Sequence, residues 1–263
     1  MTVKHRFNFK NYLIWIPLAI GIFWRSDALA CCEGQWIEVL PRNSHIAANS
    51  LFLLSFSERD YKFKNTIPHF SFYAFSTKRG KIKLEIKQIY FAESNGQILL
   101  KPASAFQLND SILLLVLLPS ATDSVLGNIF KGYVESKRWI VTGKVDKNAP
   151  QWKSDSLTFS IHDARQSSAP TLSVFFACPI TDNSFSDLTF KFYDLKLYPV
   201  FYEVTLNKET FICSDHNLGM DISWGMCGNT FADPKVKINE VTIKPFDSSG
   251  NYAGAKTIIF SLP

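Results

Sequence analysis

The chain has 263 residues, 23 of them Phe, with 46% hydrophobic and 19% charged side chains. That is material for one large core or two ordinary ones, and it excludes a disordered chain. The formal charge is +5, but the first thirty residues hold four basic side chains and one acidic; the remaining 24 basic and 22 acidic groups leave +2. A near-neutral chain carries no electrostatic footprint for nucleic acid.

Residues 4–10 are basic, Tyr12–Trp24 is an apolar run of 13 residues interrupted by Pro17, Arg25–Asp27 is polar, and Ala28–Leu29–Ala30 is a small-x-small cleavage site. That order predicts a secretory signal peptide over residues 1–30. The run falls well short of the ~20 residues a membrane crossing needs, so no transmembrane span is expected. Cys31 follows Ala30 directly, which makes lipidation at Cys31 the alternative to plain cleavage. Arg25, Asp27 and the bulky Leu29 so close to the cut favour plain cleavage. Either route exports the protein to the periplasm, the cell surface or the medium. After residue 30 the cysteines are Cys31, Cys32, Cys178, Cys213 and Cys227, an odd number for an oxidising compartment.

Ile37–Leu40 opens the next segment, followed by the apolar run Leu51–Phe56. Lys81–Lys87 alternates strictly, with Ile82, Leu84 and Ile86 on one face and charges on the other, the pattern of a half-buried antiparallel strand. Asn95–Gly96 predicts a tight turn between Ile89–Phe91 and Ile98–Leu100. Ser111–Leu118 reads as a central strand ended by Pro119, and Arg138–Thr142 closes the segment. No helical periodicity of useful length is expected anywhere. The polar stretch Val145–Trp152, with Pro150, then reads as a short stiff connector.

Beyond it, Leu157–Ile161, Thr171–Cys178, Asp187–Tyr193 and Phe201–Leu206 recur at short intervals between turn formers, the all-β signature. Val236–Ile243 and Lys256–Leu262 form the last pair, joined through Asp247–Asn251, where Asp and Asn cap backbone amides and Gly250 supplies a positive φ.

Two resemblances follow from these residues. Pro41, Asn49, Leu51–Phe56, Gly96–Ala103, Phe106, Asp110–Ile112 and Trp139–Val141 resemble bacterial Ig-like domains of surface-layer type, with Ile112 in place of the usual Tyr and a long insert around 57–79. Asp247–Asn251 resembles the turn between the last two strands of fibronectin type III and Ig-like modules. Together they imply an all-β chain of two tandem antiparallel β-sandwich (Ig-like) domains after the signal peptide: 31–145, a linker at 146–152, and 153–263. They imply a fold and no particular activity.

Cys213 and Cys227 bracket a turn-rich segment and are expected to form a disulfide rather than a metal site with His216, contributing ~3 kcal/mol. Cys178 on an apolar strand face reads as a small buried hydrophobe. His45, His69, His162 and His216 stand in no nucleophile-elbow context, so no catalytic residue is assigned. The joint is similar to cadherin linkers, in which hard oxygen ligands hold calcium. The corresponding oxygens are Asp146, Asn148 and Asp155, set against a plain, metal-free connector because the companion acidic motifs are missing. The aromatic runs Phe70–Phe75 and Tyr198–Tyr202 are expected mainly to fill cores. The functional expectation is an exported cell-envelope structural or binding module without catalytic activity or cofactor, acting on an envelope protein. The alternative is a carbohydrate-binding protein or accessory domain taking a glycan.

Overall fold

The structure is a computed structural model that describes residues 36–42, 44–57, 62–92, 95–119, 125–166, 171–182, 200–214, 219–225, 231 and 237–263. Residues 35–263 form one compact unit. The expected signal peptide, Cys31, Cys32, His216, Cys227, and the expected strand Asp187–Tyr193 lie outside the described residues.

The fold is all-β, in sheets that sandwich apolar cores. Before the joint run β1 (Ile37–Leu40), β2 (His45–Ala47), β3 (Phe52–Ser57), β4 (Ser71–Ser76), β5 (Gly80–Phe91), β6 (Asn95–Pro102), β7 (Ser111–Leu117) and β8 (Arg138–Gly143). They make one eight-stranded sheet in the order β1-β3-β6-β5-β4-β7-β8-β2. All pairings are antiparallel except β2 with β8. A register shift in β5 between Ile86 and Gln88 marks a bulge, the usual device for bending a strand.

After the joint come β9 (Gln151–Trp152), β10 (Thr158–Asp163), β11 (Thr171–Ala177), β12 (Ile180–Thr181), β13 (Phe201–Leu206), β14 (Glu209–Ser214), β15 (Gly219–Gly225), β16 (Ile238–Phe246) and β17 (Lys256–Ser261). They form sheets β10-β11-β15, β12-β9 and β14-β13-β16-β17, all antiparallel.

Two cores result, and the two-residue period of β3 and β6 shows how they adjoin. Phe52, Leu54, Phe56, Ile98 and Leu100 point into a core built wholly from residues 39–141. Leu51, Leu53 and Leu99, of opposite parity, belong to the core that holds the buried side chains of β11, β13, β15 and β16. Leu40 and Tyr90 join them there. This is why Leu51–Phe56 reads as continuously apolar: all six residues of β3 are buried. Polar pairing follows the same wall. The Gln97 side chain donates from Nε2 to the Ile212 carbonyl (2.7 Å) and accepts the Ile212 amide at Oε1 (2.8 Å), replacing a missing strand neighbour for β14.

Three expectations need correction. A helix, α1 (Val125–Glu135), is present; Phe130 and Val134 are fully buried, and Phe130 meets Phe56 and Phe63 edge-on at 5.7 and 5.2 Å. Its periodicity is obscured because Ile129 and Tyr133 sit on the exposed side. Asn95–Gly96 is not the turn: both residues are already in β6, Gly96 opposite Phe91. Gly96 is needed for another reason, since a Cβ there would collide with the Phe56 ring. The presumed insert at 57–79 contains β4, an interior strand between β5 and β7.

Candidate functional site

Side chains from both halves of the chain hold the joint. Asn49, in the turn after β2, clasps the Asp146 peptide with both ends of its amide: Oδ1 accepts the Asp146 amide at 2.9 Å and Nδ2 donates to its carbonyl at 2.8 Å. Asn251 donates to the same carbonyl from the far side at 3.3 Å. Asp146 Oδ1 accepts the Asn148 amide at 2.9 Å. The backbone of one connector residue is therefore fixed from both halves of the chain.

Two further elements converge on it. Pairing of β9 with β12 brings Asp182, the residue after β12, back to the joint. The turn between β16 and β17 supplies Asp247, whose Oδ1 accepts the amides of Ser249 (2.8 Å) and Asn251 (2.9 Å) and whose Oδ2 accepts Asn251 Nδ2 (2.8 Å). Gly250 takes φ +82° there, as the sequence required, and a Cβ on it would come within 2.8 Å of Leu51 Cδ1. The Leu51 amide in turn donates to the Ser248 carbonyl at 2.6 Å, so this turn is seated on the first half.

Asp146, Asp182 and Asp247 each offer one carboxylate oxygen within 4.8 Å of the others. Asp146 is 8% exposed and Asp247 2%. Burial, with Asp146 and Asp182 alongside, pushes the Asp247 carboxyl up to about 6. Of the oxygens expected from the sequence, Asp146 is in this group. Asn148 contributes its backbone amide to Asp146, and Asp155 is exposed and outside the group. Sequence reasoning missed Asp182, which has no local motif, and placed Asp247 only in a turn.

Two open clefts lie elsewhere. One, of about 430 Å³, is lined by β1 and the end of α1 with exposed Trp36 and Tyr133, Arg42 and Lys137. Lys137 Nζ stands 4.4 Å from the Tyr133 ring centre, and Arg42 pairs with Glu38. The other, about 290 Å³, includes Gln97, Cys213 and Asp221. Burial, with Cys178 and Asp221 nearby, pushes the Cys213 thiol up to about 12. No disulfide forms among the described residues. The expected partner of Cys213, Cys227, lies beyond them. Cys178 is buried in the second core. His45, His69 and His162 are exposed on three different elements. Most of the described aromatics fill cores: Phe70, Phe72, Phe201 and Tyr202 are buried, while Phe75 is 45% exposed.

No protein-family model matches the chain, and no curated protein matches it. Among solved structures, the chain is similar to the N-terminal part of the bacterial S-layer protein SbsC at 13% identity, covering 94% of this chain and 48% of that one, with a TM-score of 0.26. It is similar to a pullulanase from Anoxybacillus sp. crystallised with maltotriose at 8% identity, covering 85% and 25% respectively, with a TM-score of 0.24. Fibronectin(III)-like modules of Clostridium thermocellum CbhA are similar at 9% identity, covering 86% and 94%, with a TM-score of 0.24. The chain thus spans about a quarter of the pullulanase and half of the S-layer fragment. At these scores the likenesses carry no functional argument. Among the described residues, no helix is long and apolar enough to cross a membrane.

Proposed function

We propose that the chain is an exported cell-envelope module that binds a protein partner through a strand edge and has no catalytic activity. The observation that carries this reading is the end of the β14-β13-β16-β17 sheet, where no other strand among the described residues pairs with β17. β17 is the terminal strand of that order, and Ile238 and Ile259 are 66% and 63% exposed. Ile259 faces Glu240 and Ile238 faces Ser261, which makes the two isoleucines diagonal neighbours across β16 and β17. An open edge flanked by apolar side chains is suited to strand addition, in which backbone hydrogen bonds supply affinity and flanking side chains supply selectivity. Export is supported by the basic, apolar and polar order of residues 4–30.

The test is a pull-down from the native envelope with wild-type chain and with the double variant Ile238→Lys, Ile259→Lys. A partner retained by wild type and lost by the variant, with unchanged thermal stability, is expected. Equal retention by both proteins contradicts the assignment of this edge.

A second reading, glycan binding, draws support from the cleft beside Trp36 and Tyr133, because exposed aromatic faces next to charged side chains are a common sugar platform. Glycan-array binding abolished by Trp36→Ala would move the assignment to that cleft.

A further inference from the structure

We propose that Asp146, Asp182 and Asp247 form a calcium site that ties the connector, the end of β12 and the β16–β17 turn together. The grouping of three carboxylate oxygens within 4.8 Å is the first observation. The second is independent of it. Asp146 Oδ2 is buried and has no hydrogen-bond partner, in a side chain only 8% exposed. Buried carboxylate oxygens are ordinarily satisfied, because stripping a carboxylate of water without compensation is costly. Neither Asp146 nor Asp247 has a Lys or Arg partner among the described residues. Ser249 Oγ, in the same turn as Asp247, is likewise buried without a hydrogen-bond partner. A cation would supply the counterpart that Asp146 Oδ2 and Ser249 Oγ lack.

The donor set selects the ion class. Carboxylate oxygens suit hard cations, and zinc and copper favour nitrogen or sulfur ligands; no described histidine or cysteine belongs to the group. Calcium accepts six to eight oxygens at ~2.4 Å in irregular arrangements, so oxygens up to ~4.8 Å apart fit on one ion. Magnesium demands octahedral geometry at ~2.1 Å and gives up its water reluctantly. Three segments remote in sequence, one of them only partly buried, form the adaptable cage that suits calcium. Because Asp146 is clasped by Asn49 from before the joint, and Asp247 belongs to the last hairpin, the ion would cross-link residues about a hundred positions apart.

The chelator-treated chain, beginning after residue 30, is titrated with calcium by calorimetry, and separately with terbium by luminescence sensitised from the tryptophans. One calcium per chain is expected, with magnesium at least tenfold weaker. Asp182→Asn is expected to weaken calcium at least tenfold, and Asp155→Asn to leave it unchanged. Asp182 is the choice because it is the least buried of the three, and its variant is checked for an unaltered far-ultraviolet spectrum. Absence of calcium and terbium binding at millimolar concentration overturns the proposal. So does calcium binding that Asp182→Asn leaves intact, which would indicate adventitious surface carboxylates only.

Discussion

Two buried aspartate sites in this molecule are solved in opposite ways. Asp110, just before β7, is fully buried, yet its carboxylate is surrounded by donors. Ser76 Oγ donates to Oδ2, while Thr77 Oγ1 (2.8 Å) and the Lys78 amide (3.2 Å) donate to Oδ1. Burial pushes this carboxyl up, but the hydrogen bonds outweigh that and hold it below the usual range. At the joint, three carboxylates crowd together, one oxygen has no partner, and Asp247 is pushed up to about 6. The first arrangement is complete within the chain. The second leaves one buried oxygen, Asp146 Oδ2, without a hydrogen-bond partner beside two further carboxylates.

The comparison is sharpest in isosteric substitutions. Asp110→Asn sets an amide donor against donors and removes a charge that three groups were placed to meet; a loss of about 3 kcal/mol is expected in urea unfolding. Asp146→Asn, in chelator, is expected to be neutral or to stabilise by up to about 1 kcal/mol, because its new donor replaces an unsatisfied oxygen beside two carboxylates. If both variants destabilise alike, the contrast drawn between the sites fails.

A smaller loss, about 2 kcal/mol, is expected for Gln97→Ala, which leaves the Ile212 amide and carbonyl buried without partners. This variant tests whether β14 depends on the first half. Exchange of amide hydrogens in β13 and β14 is expected to quicken, although the substitution lies in β6.

The acid limb of stability reports the two sites separately. Asp110 has a lowered folded pKa, so its contribution is present at neutral pH and is lost as pH falls below about 4, through the folded value. Asp247 has a raised one, so its contribution is complete below about pH 4 and is lost as pH rises through about 6. In chelator, wild type is therefore expected to gain stability between pH 7 and pH 5 before losing it in stronger acid. A monotonic decline on acidification from pH 7 would contradict this. The smallest effect belongs to Ile259→Ser, within about 0.5 kcal/mol of wild type, since the side chain is 63% exposed.

How much of this could be read from the sequence depended on whether the cause was local. The alternation in Lys81–Lys87 gave a strand because one face of β5 is buried and the other open. Phe201–Leu206 coincides with β13, and Asp247–Asn251 forms its turn because Asp side-chain capping and the positive φ of Gly250 need no distant partner. β15 was not legible: Gly219, Asp221 and Gly225 look like a loop, and only pairing with β11 makes it a strand. Gly219 is there because a Cβ would collide with the Phe175 ring and the Phe176 carbonyl. The helix was hidden by apolar residues on its exposed side. At the joint, Asp146 was read together with Asn148 and Asp155, and only Asp146 belongs to the group; Asp182 reaches it only through the pairing of β9 with β12, which involves two residues on each strand.

Thermal unfolding of the chain at pH 7, in 1 mM calcium and in EDTA, tests the calcium cross-link at the joint most directly. The midpoint is expected to rise by several degrees in calcium for wild type and not at all for Asp182→Asn. Superimposable curves for wild type in the two buffers would contradict it.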